Sequence, residues 1–462
     1  MTAIIAAAII GVLLMFVGIG TKNKSTMVTV SLVLVLALFG ITIWEVTQTA
    51  HNGIALPPRL YFNDMLRFDG FAVWFNLLMT GCTLLYMLLL NKEIKKVGVH
   101  VAEYFALISF ILVGIYLLSS YNNMLMLFLG IEIISIPQYI LAGSDKRNLK
   151  SSEASLKYFI MGAFTTGILL MGITLIYGAT GTFNISEYAH LGSSDLNPMV
   201  VSGIILIMVA LGFKVSAAPM HMWTADVYDG APTPFTAYMM TVVKAGAFIG
   251  FIRLFQSSFG QLSEHWALLL AIITAATLFV GNITAVFQQS VKRMLAYSSI
   301  AQAGFMLFAI QSFSAIAWQS IAIYAIAYSV ATIGMFAVLV KMKDYTFDGF
   351  NGLAKKDPVT AFFTTVFLLS LTGIPLTGGF MAKYMVLMGV IKEGNLMWLV
   401  IFGLLMAAVS AYYYFRVIIA MYFKEGNAEY TTEINTTDKV LLGITCGLVI
   451  LIGIAPGLFL HF

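Results

Sequence analysis

The chain has 462 residues, 60% of them hydrophobic and only 10% charged, with a formal net charge of +4. A soluble domain carries about 25% charged residues, so this composition leaves no surface to show to water, and the surrounding solvent is lipid. The small net charge excludes the basic signature of a nucleic-acid binder.

Apolar stretches long enough to cross a bilayer fall at 3–20, 27–45, 70–90, 101–119, 122–143, 152–178, 199–222, 234–256, 265–288, 293–311, 315–340, 359–391, 395–423 and 439–460. A span needs about 20 residues. The runs are too long and too uniformly apolar for barrel strands, and a backbone in lipid must bond to itself, so each reads as a helix. The first, Met1 to Gly20, is apolar from its start and has no basic leading region, which reads as a span rather than a cleaved signal. Apolar runs fill the chain without a polar linker, so one all-α membrane domain of about fourteen spans is expected.

Fourteen spans place alternate loops on the same side. One set of loops then holds sixteen Lys and Arg, among them Lys22, Lys92, Lys96, Lys146, Lys292, Lys341, Lys355 and Lys439. The other set holds four: Arg59, Arg67, Arg253 and Lys392. That asymmetry makes the rich set cytoplasmic and puts both termini outside the cytoplasm. A miscounted span would scramble the pattern, so it supports the count as well.

No CxxC, HExxH, GxxxxGK[ST] or strand-borne GxGxxG occurs, and Cys82 and Cys446 each lie inside an apolar run. No haem, iron–sulfur, zinc or nucleotide site is expected in this chain.

Five basic residues fall inside spans: Lys157, Lys214, Lys244, Lys383 and Arg416. Lys157 and Arg416 are within snorkelling reach of a membrane face. Lys214, Lys244 and Lys383 are not. Among the acids, Glu132 lies near the middle of a span, whereas Glu103 is nearer a helix start. An ionisable group at the bilayer centre costs roughly 2.5–3.5 kcal/mol on insertion scales, so four together cost on the order of 10 kcal/mol. A structural Glu–Lys pair accounts for Glu132 and one lysine, and leaves two lysines without acidic partners. A proton relay accounts for all four. Burial weakens a lysine's hold on its proton and a nearby carboxylate restores it, so modulating that influence loads or unloads the lysine.

Two spans are interrupted. The seventh reads Gly212-Phe-Lys-Val-Ser-Ala-Ala-Pro219-Met-His221, and the twelfth reads Leu371-Thr-Gly-Ile-Pro375-Leu-Thr-Gly378-Gly379-Phe-Met-Ala-Lys383. Proline removes a helix hydrogen bond and paired glycines loosen the remainder. Breaks survive in lipid only where the freed backbone faces protein or water, and paired breaks in two halves of a chain point to a transporter built from inverted repeats. Ordinary proline kinks are the bland alternative. His221 closes the seventh span, ahead of Trp223, Asp226 and Asp229. It is placed either to pass a proton between span and loop or merely to bond a loop carbonyl.

These motifs resemble a known family. Gly212 to Pro234, ending Asp-Val-Tyr-Asp-Gly-Ala-Pro-Thr-Pro with Lys244 ten residues on, is similar to the signature of the antiporter-like subunits of respiratory complex I, NADH–quinone oxidoreductase. The subunit N branch is the most similar. So are Leu149-Lys-Ser-Ser-Glu-Ala-Ser-Leu-Lys-Tyr-Phe-Ile-Met-Gly-Ala-Phe164, the Ile-Tyr-Gly-Ala-Thr-Gly-Thr at 176–182, Lys292-Arg-Met-Leu-Ala-Tyr-Ser-Ser-Ile300 and Gly373-Ile-Pro-Leu-Thr-Gly-Gly-Phe-Met-Ala-Lys383. The resemblance covers residues 100 to 425. It implies two inverted five-helix repeats over spans 4–8 and 9–13, with discontinuous spans 7 and 12. The corresponding boundaries are 1–100 for the first three spans, 101–256 and 265–424 for the repeats, and 438–462 for the last span. It further implies that Glu132 modulates Lys214, that Lys244 bridges to Lys383, and that Lys383 is the exit-side lysine of a proton path. The family often has histidine where Gln302 stands, and an amide carries no charge there. Other implications are partnership with neighbouring antiporter-like subunits in a bacterial inner membrane, quinone and NADH handled by other subunits, and no cofactor in this chain. The remaining alternatives are a subunit of a multisubunit cation/proton antiporter, which shares the motifs of spans 7 and 12, and an inert membrane scaffold, whose buried charges are dispensable.

Overall fold

Several helix starts in this chain are written by side chains that accept the first free backbone N–H groups. Asn23, Asp69, Asn123, Asn148, Asn197, Asp357 and Asn435 each cap the helix that follows them. The computed structural model describes residues 1–21, 23–48, 50–51, 54–55, 57–191, 197–313, 316–394 and 396–460. Lys22 of the basic loops and Ala315 and Asn395, the first residues of two expected spans, lie outside the described residues.

Fourteen crossings follow in chain order: Thr2–Gly20, Lys24–Thr47, Gly70–Val97, Val101–Ser120, Met124–Ala142, Leu149–Thr180, the pair Pro198–Val215 and Thr224–Gly230, Thr233–Ser257, Ala267–Val286, Val291–Gln311, Ile316–Leu339, the pair Pro358–Thr372 and Gly378–Glu393, Met397–Phe423, and Thr436–Ile454. Thirteen contain a single helix long and apolar enough to cross a membrane. The twelfth is made of two shorter halves. Between spans 2 and 3 the chain forms a small antiparallel ribbon in which Arg59–Tyr61 pairs with Leu66–Phe68.

The seventh span runs further than its apolar stretch suggests. Pro219 sits in a turn, the helix resumes at Thr224, and it ends at Gly230 ahead of Pro232. His221 therefore lies in the break rather than at the span's end, and Asp226 and Asp229 belong to the second half-helix rather than to a loop.

Spans 4, 8, 10 and 11 are buried on nearly every side, while spans 1, 2 and 6 lie at the periphery. Within the two repeats the same helices pair, 4 with 5 and 9 with 10, then 6 with 7 and 11 with 12, while span 1 packs as extensively on span 4. Small residues make these approaches possible. A Cβ on Gly203 would stand 2.8 Å from the Gly172 carbonyl, one on Gly114 would stand 2.9 Å from the Gly130 carbonyl, and one on Gly281 would stand 2.5 Å from the Ala301 nitrogen. Each obstacle is backbone, which cannot turn aside.

The basic-loop face is tied by ions. Asp438, at the start of span 14, takes Lys92 of span 3 at 2.9 Å and Lys341 after span 11 at 2.5 Å, and Lys439 meets Asp357 at 3.0 Å. On the opposite face Asp69 caps span 3 and accepts from Arg253 of span 8 at 2.8 Å.

Candidate functional site

The two breaks dispose of their freed backbone groups differently. In span 7, Ser216 adopts φ 67° and ends the first half-helix, the Ala218 N–H donates to Thr277 Oγ1 at 2.8 Å, and the Trp223 indole donates to the Phe213 carbonyl at 3.2 Å. Trp223 stacks on Tyr158 with ring centroids 4.4 Å apart, which seats the resumed helix against span 6. In span 12, Gly373 takes φ 93°, a conformation that a side chain would strain. Gly379 passes so close to the Ser370 carbonyl that no Cβ fits. The last carbonyls of the first half, Leu371 and Thr372, face inward. Lys383, on the second half, donates to both at 3.1 and 2.7 Å. A cation at a helix C-terminus meets the negative end of the helix dipole, so the break itself forms the seat for the ammonium.

Lys214, in the last turn before the seventh-span break, reaches span 5. Its Nζ donates to Ser135 Oγ at 2.7 Å and to Tyr139 OH at 3.4 Å. Ser135 and Tyr139 stand three and seven residues beyond Glu132, on the same helix face. Glu132 makes no ion pair with Lys214; its Oε1 accepts from Thr166 Oγ1 of span 6 at 2.7 Å. The carboxylate is half-buried rather than enclosed, because Glu132 lies at the boundary between the inward Ser135 and Tyr139 and the outward Ile136 and Ile140, which are exposed. The structure thus brings Glu132 and Lys214 to one helix face, separated by the Ser135 hydroxyl, and the simple structural pair expected as an alternative is not formed.

Lys244 is 1% exposed and follows a π-turn, Met239–Val243, in one of the two most enclosed spans. Single π-turns inside helices recur at functional positions. Its Nζ donates to Ser299 O and Ser299 Oγ at 3.0 and 3.1 Å and lies 5.6 Å from the Tyr228 ring centroid. None of the three lysine ammonium groups has a carboxylate within ion-pair distance among the described residues, so Glu132 forms no direct ion pair with any one of them.

Between these stations the interior is polar. Ser216, Thr224, Tyr328, Ser329 and Thr332 bury hydroxyl oxygens, Tyr328 facing Thr332 and Ser299 and Ser216 facing Tyr228, while Thr224 and Ser329 make no side-chain hydrogen bond among the described residues; His221 Nδ1 is buried in the break. Buried polar atoms of this kind are normally satisfied by ordered water.

Lys157 and Arg416 serve the basic-loop face. Lys157 pairs with Glu153 at 2.7 Å and Asp226 at 3.0 Å, and Arg293 joins Asp226 at 3.2 Å. Arg416 donates to the Gln288 carbonyl at 3.0 Å and covers the Phe347 ring. Glu103 is exposed and meets His100 at 2.9 Å. Sequence reasoning missed Lys292, counted among the loop residues. It is 5% exposed and caps the carbonyl end of the seventh span, donating to Asp229 O and Ala231 O at 2.8 and 2.7 Å. The hydroxyl partners of the lysines were also missed. Ser135 and Tyr139 were within reach through their helical spacing from Glu132; Ser299 and Thr166 come from distant spans and carry no local signal.

A fourteen-span bundle with paired broken helices, whose interior lysines rest on hydroxyls and carbonyls, is the architecture of an antiporter-like ion-translocating membrane protein. Comparison with known proteins narrows the class. The profile described as NADH:quinone oxidoreductase/Mrp antiporter, TM, matches residues 121–410. A NADH-quinone oxidoreductase subunit N of Cytophaga hutchinsonii is 40% identical over 100% of this chain and 99% of its own length. A chain of respiratory complex I from Thermus thermophilus superposes with a TM-score of 0.84 at 28% identity, covering 99% of this chain and 98% of that one. A chain of the Mrp complex from Dietzia sp. shares the fold, with a TM-score of 0.87 at 17% identity over 99% and 95% of the two chains. The chain belongs to the NADH-quinone oxidoreductase subunit N family.

Proposed function

We propose that the protons this membrane subunit carries pass along Glu132, Lys214, Lys244 and Lys383, with His221 serving the break of span 7. One observation carries the reading: three interior lysines, at two helix breaks and a π-turn, rest on hydroxyls and backbone carbonyls instead of carboxylates. A structural lysine gains most from a carboxylate. A relay lysine must exist in both protonation states, and a neutral amine still donates to a hydroxyl or carbonyl and adds a lone pair that accepts. The buried hydroxyls of Ser216, Thr224, Tyr328 and Thr332 supply groups that can re-orient between stations.

The chain acts as part of NADH–quinone oxidoreductase. NADH oxidation and quinone reduction occur in other subunits, and this chain holds no redox centre. Glu132 supports partnership with neighbouring antiporter-like subunits. A half-exposed carboxylate beside exposed Ile136, Ile140, Phe159 and Phe164 would face lipid in the isolated chain, at a cost of roughly 2.5–3.5 kcal/mol. A neighbouring subunit covering this face removes that cost and gains a charge contact by which one subunit senses another. The basic loops face the cytoplasm of a bacterial cell, and both termini lie outside it.

The test is Glu132→Gln in the assembled complex. The amide keeps the Thr166 hydrogen bond and removes the charge. The expected outcome is full assembly with a low ratio of protons moved to electrons transferred; an unchanged ratio removes Glu132 from the route.

A further inference from the structure

Gln302 stands in the middle of span 10 and is 3% exposed. Three groups from three other spans hold its amide. Nε2 donates to the Leu371 carbonyl of span 12 at 2.9 Å and to Tyr414 OH of span 13 at 3.3 Å, while Oε1 accepts from Tyr324 OH of span 11. Tyr414 OH in turn donates to Ser298 Oγ at 2.9 Å, and the next residue, Ser299, holds Lys244. The Leu371 carbonyl has a second donor, the Lys383 ammonium at 3.1 Å. Lysine and amide therefore meet on one oxygen at the open end of the broken span, and the same amide connects through Tyr414 to the serines beside Lys244.

The orientation of this amide is fixed. Reversing it would set the amide oxygen against the Leu371 carbonyl oxygen, two acceptors with no proton between them. Tyr324 holds the other end, since its hydroxyl donates to Oε1. The amide also has no titration of its own, so its bond to Leu371 persists whatever the state of Lys383.

We propose that Gln302 is a positioning residue of the Lys383 site: by donating to the Leu371 carbonyl it holds the open end of span 12 in place when Lys383 gives up its proton. The inference rests on Lys383 acting as a relay group. An ammonium anchors two carbonyls strongly, whereas a neutral amine donates weakly and is free to turn its lone pair toward an incoming proton. Without a second donor the Leu371 carbonyl would then follow the departing charge or draw in another group. With Gln302 the seat stays formed for the next proton. Tyr414 and Tyr324 orient the amide and so act through it.

The experiment uses the complete complex in inverted membrane vesicles, with proton movement and quinone reduction measured together and assembly checked by subunit content. Gln302→Met keeps the volume and removes both donors. It should lower protons per electron well below the ratio of the unaltered complex at equal subunit content. Gln302→Glu is closer in shape but, when ionised, accepts only, and it should fall at least as far. Gln302→His restores a donor and should recover most of the ratio. Tyr324→Phe, which frees the amide to rotate, should reproduce part of the Met defect. A rescue by histidine is not expected if the site only fills space. Lys383→Arg is measured alongside. If Lys383→Arg pumps fully, the relay reading fails and this inference with it. If Lys383→Arg is inactive while Gln302→Met pumps normally in an assembled complex, the relay stands and the role given to Gln302 is overturned.

Discussion

Replacing Lys383 separates the charge of this group from its chemistry. Lys383→Met removes the donor to two carbonyls at the end of the first half of span 12. Leu371 O keeps Gln302 as a donor, so only Thr372 O loses its sole side-chain partner. One buried acceptor left unsatisfied costs about 1–3 kcal/mol, a fraction of the roughly 5–15 kcal/mol that holds a typical domain. The variant is therefore expected to assemble. Lys383→Arg keeps a donor and a charge at the carbonyls, but guanidinium cannot be deprotonated in a protein. Moving one charge across 100 mV takes about 2.3 kcal/mol, so a station on the path must take and give its proton within a few kcal/mol, which arginine cannot do. Both variants should keep subunit content and lose most proton movement, read as acidification of vesicles against quinone reductase rate. Full pumping by Lys383→Arg in an assembled complex would refute the reasoning, since fixed positive charge would then suffice.

The remaining predictions probe other links. Lys157→Ala should act mildly, because a solvent-screened ion pair contributes little and Arg293 still holds Asp226 at 3.2 Å; a pumping loss as deep as that of Lys383→Met would move Lys157 onto the route. Gly203→Val should prevent close approach of spans 6 and 7, since even its Cβ would stand 2.8 Å from the Gly172 carbonyl, and the yield of assembled complex after detergent extraction should collapse; normal yield would show that these helices can separate freely. A reporter fused after Lys96 or Lys356 should be cytoplasmic and one fused after His190 external; an external reporter at Lys356 breaks the fourteen-span arrangement.

Much of the fold was legible because lipid imposes one rule, that every span be an apolar helix bonded to itself. The charge asymmetry of the loops then fixed the count. Where the text of the sequence and the helix diverge, the cause is local. The seventh apolar run stops at Met222 without ending the span, because Thr224–Gly230 resumes beyond it with polar residues that face Lys157 and Arg293. The lysines stood out by their cost in an apolar run, as did Glu132. Their partners did not. Ser299 and Ser298 look like ordinary small residues in a helix, and Tyr324 and Tyr414 look like core aromatics. Only the packing of spans 10, 11, 12 and 13 turns them into one hydrogen-bonded group around Gln302. Lys292 and Lys341 were hidden for the opposite reason. Both sit at span ends among other charges, where burial is invisible to composition, yet they are 5% and 2% exposed.

The central claim is that the enclosed lysines themselves carry the proton, and Lys244 tests it most directly, being the most enclosed of the three and hydrogen-bonded, among the described residues, to Ser299 alone. The measurement is the ratio of protons moved to electrons transferred in vesicles containing the assembled complex with Lys244→Gln. Glutamine still donates to Ser299 but neither takes up nor releases a proton in this range. The account predicts a ratio well below that of the unaltered complex at equal subunit content. An unchanged ratio at equal content would contradict it.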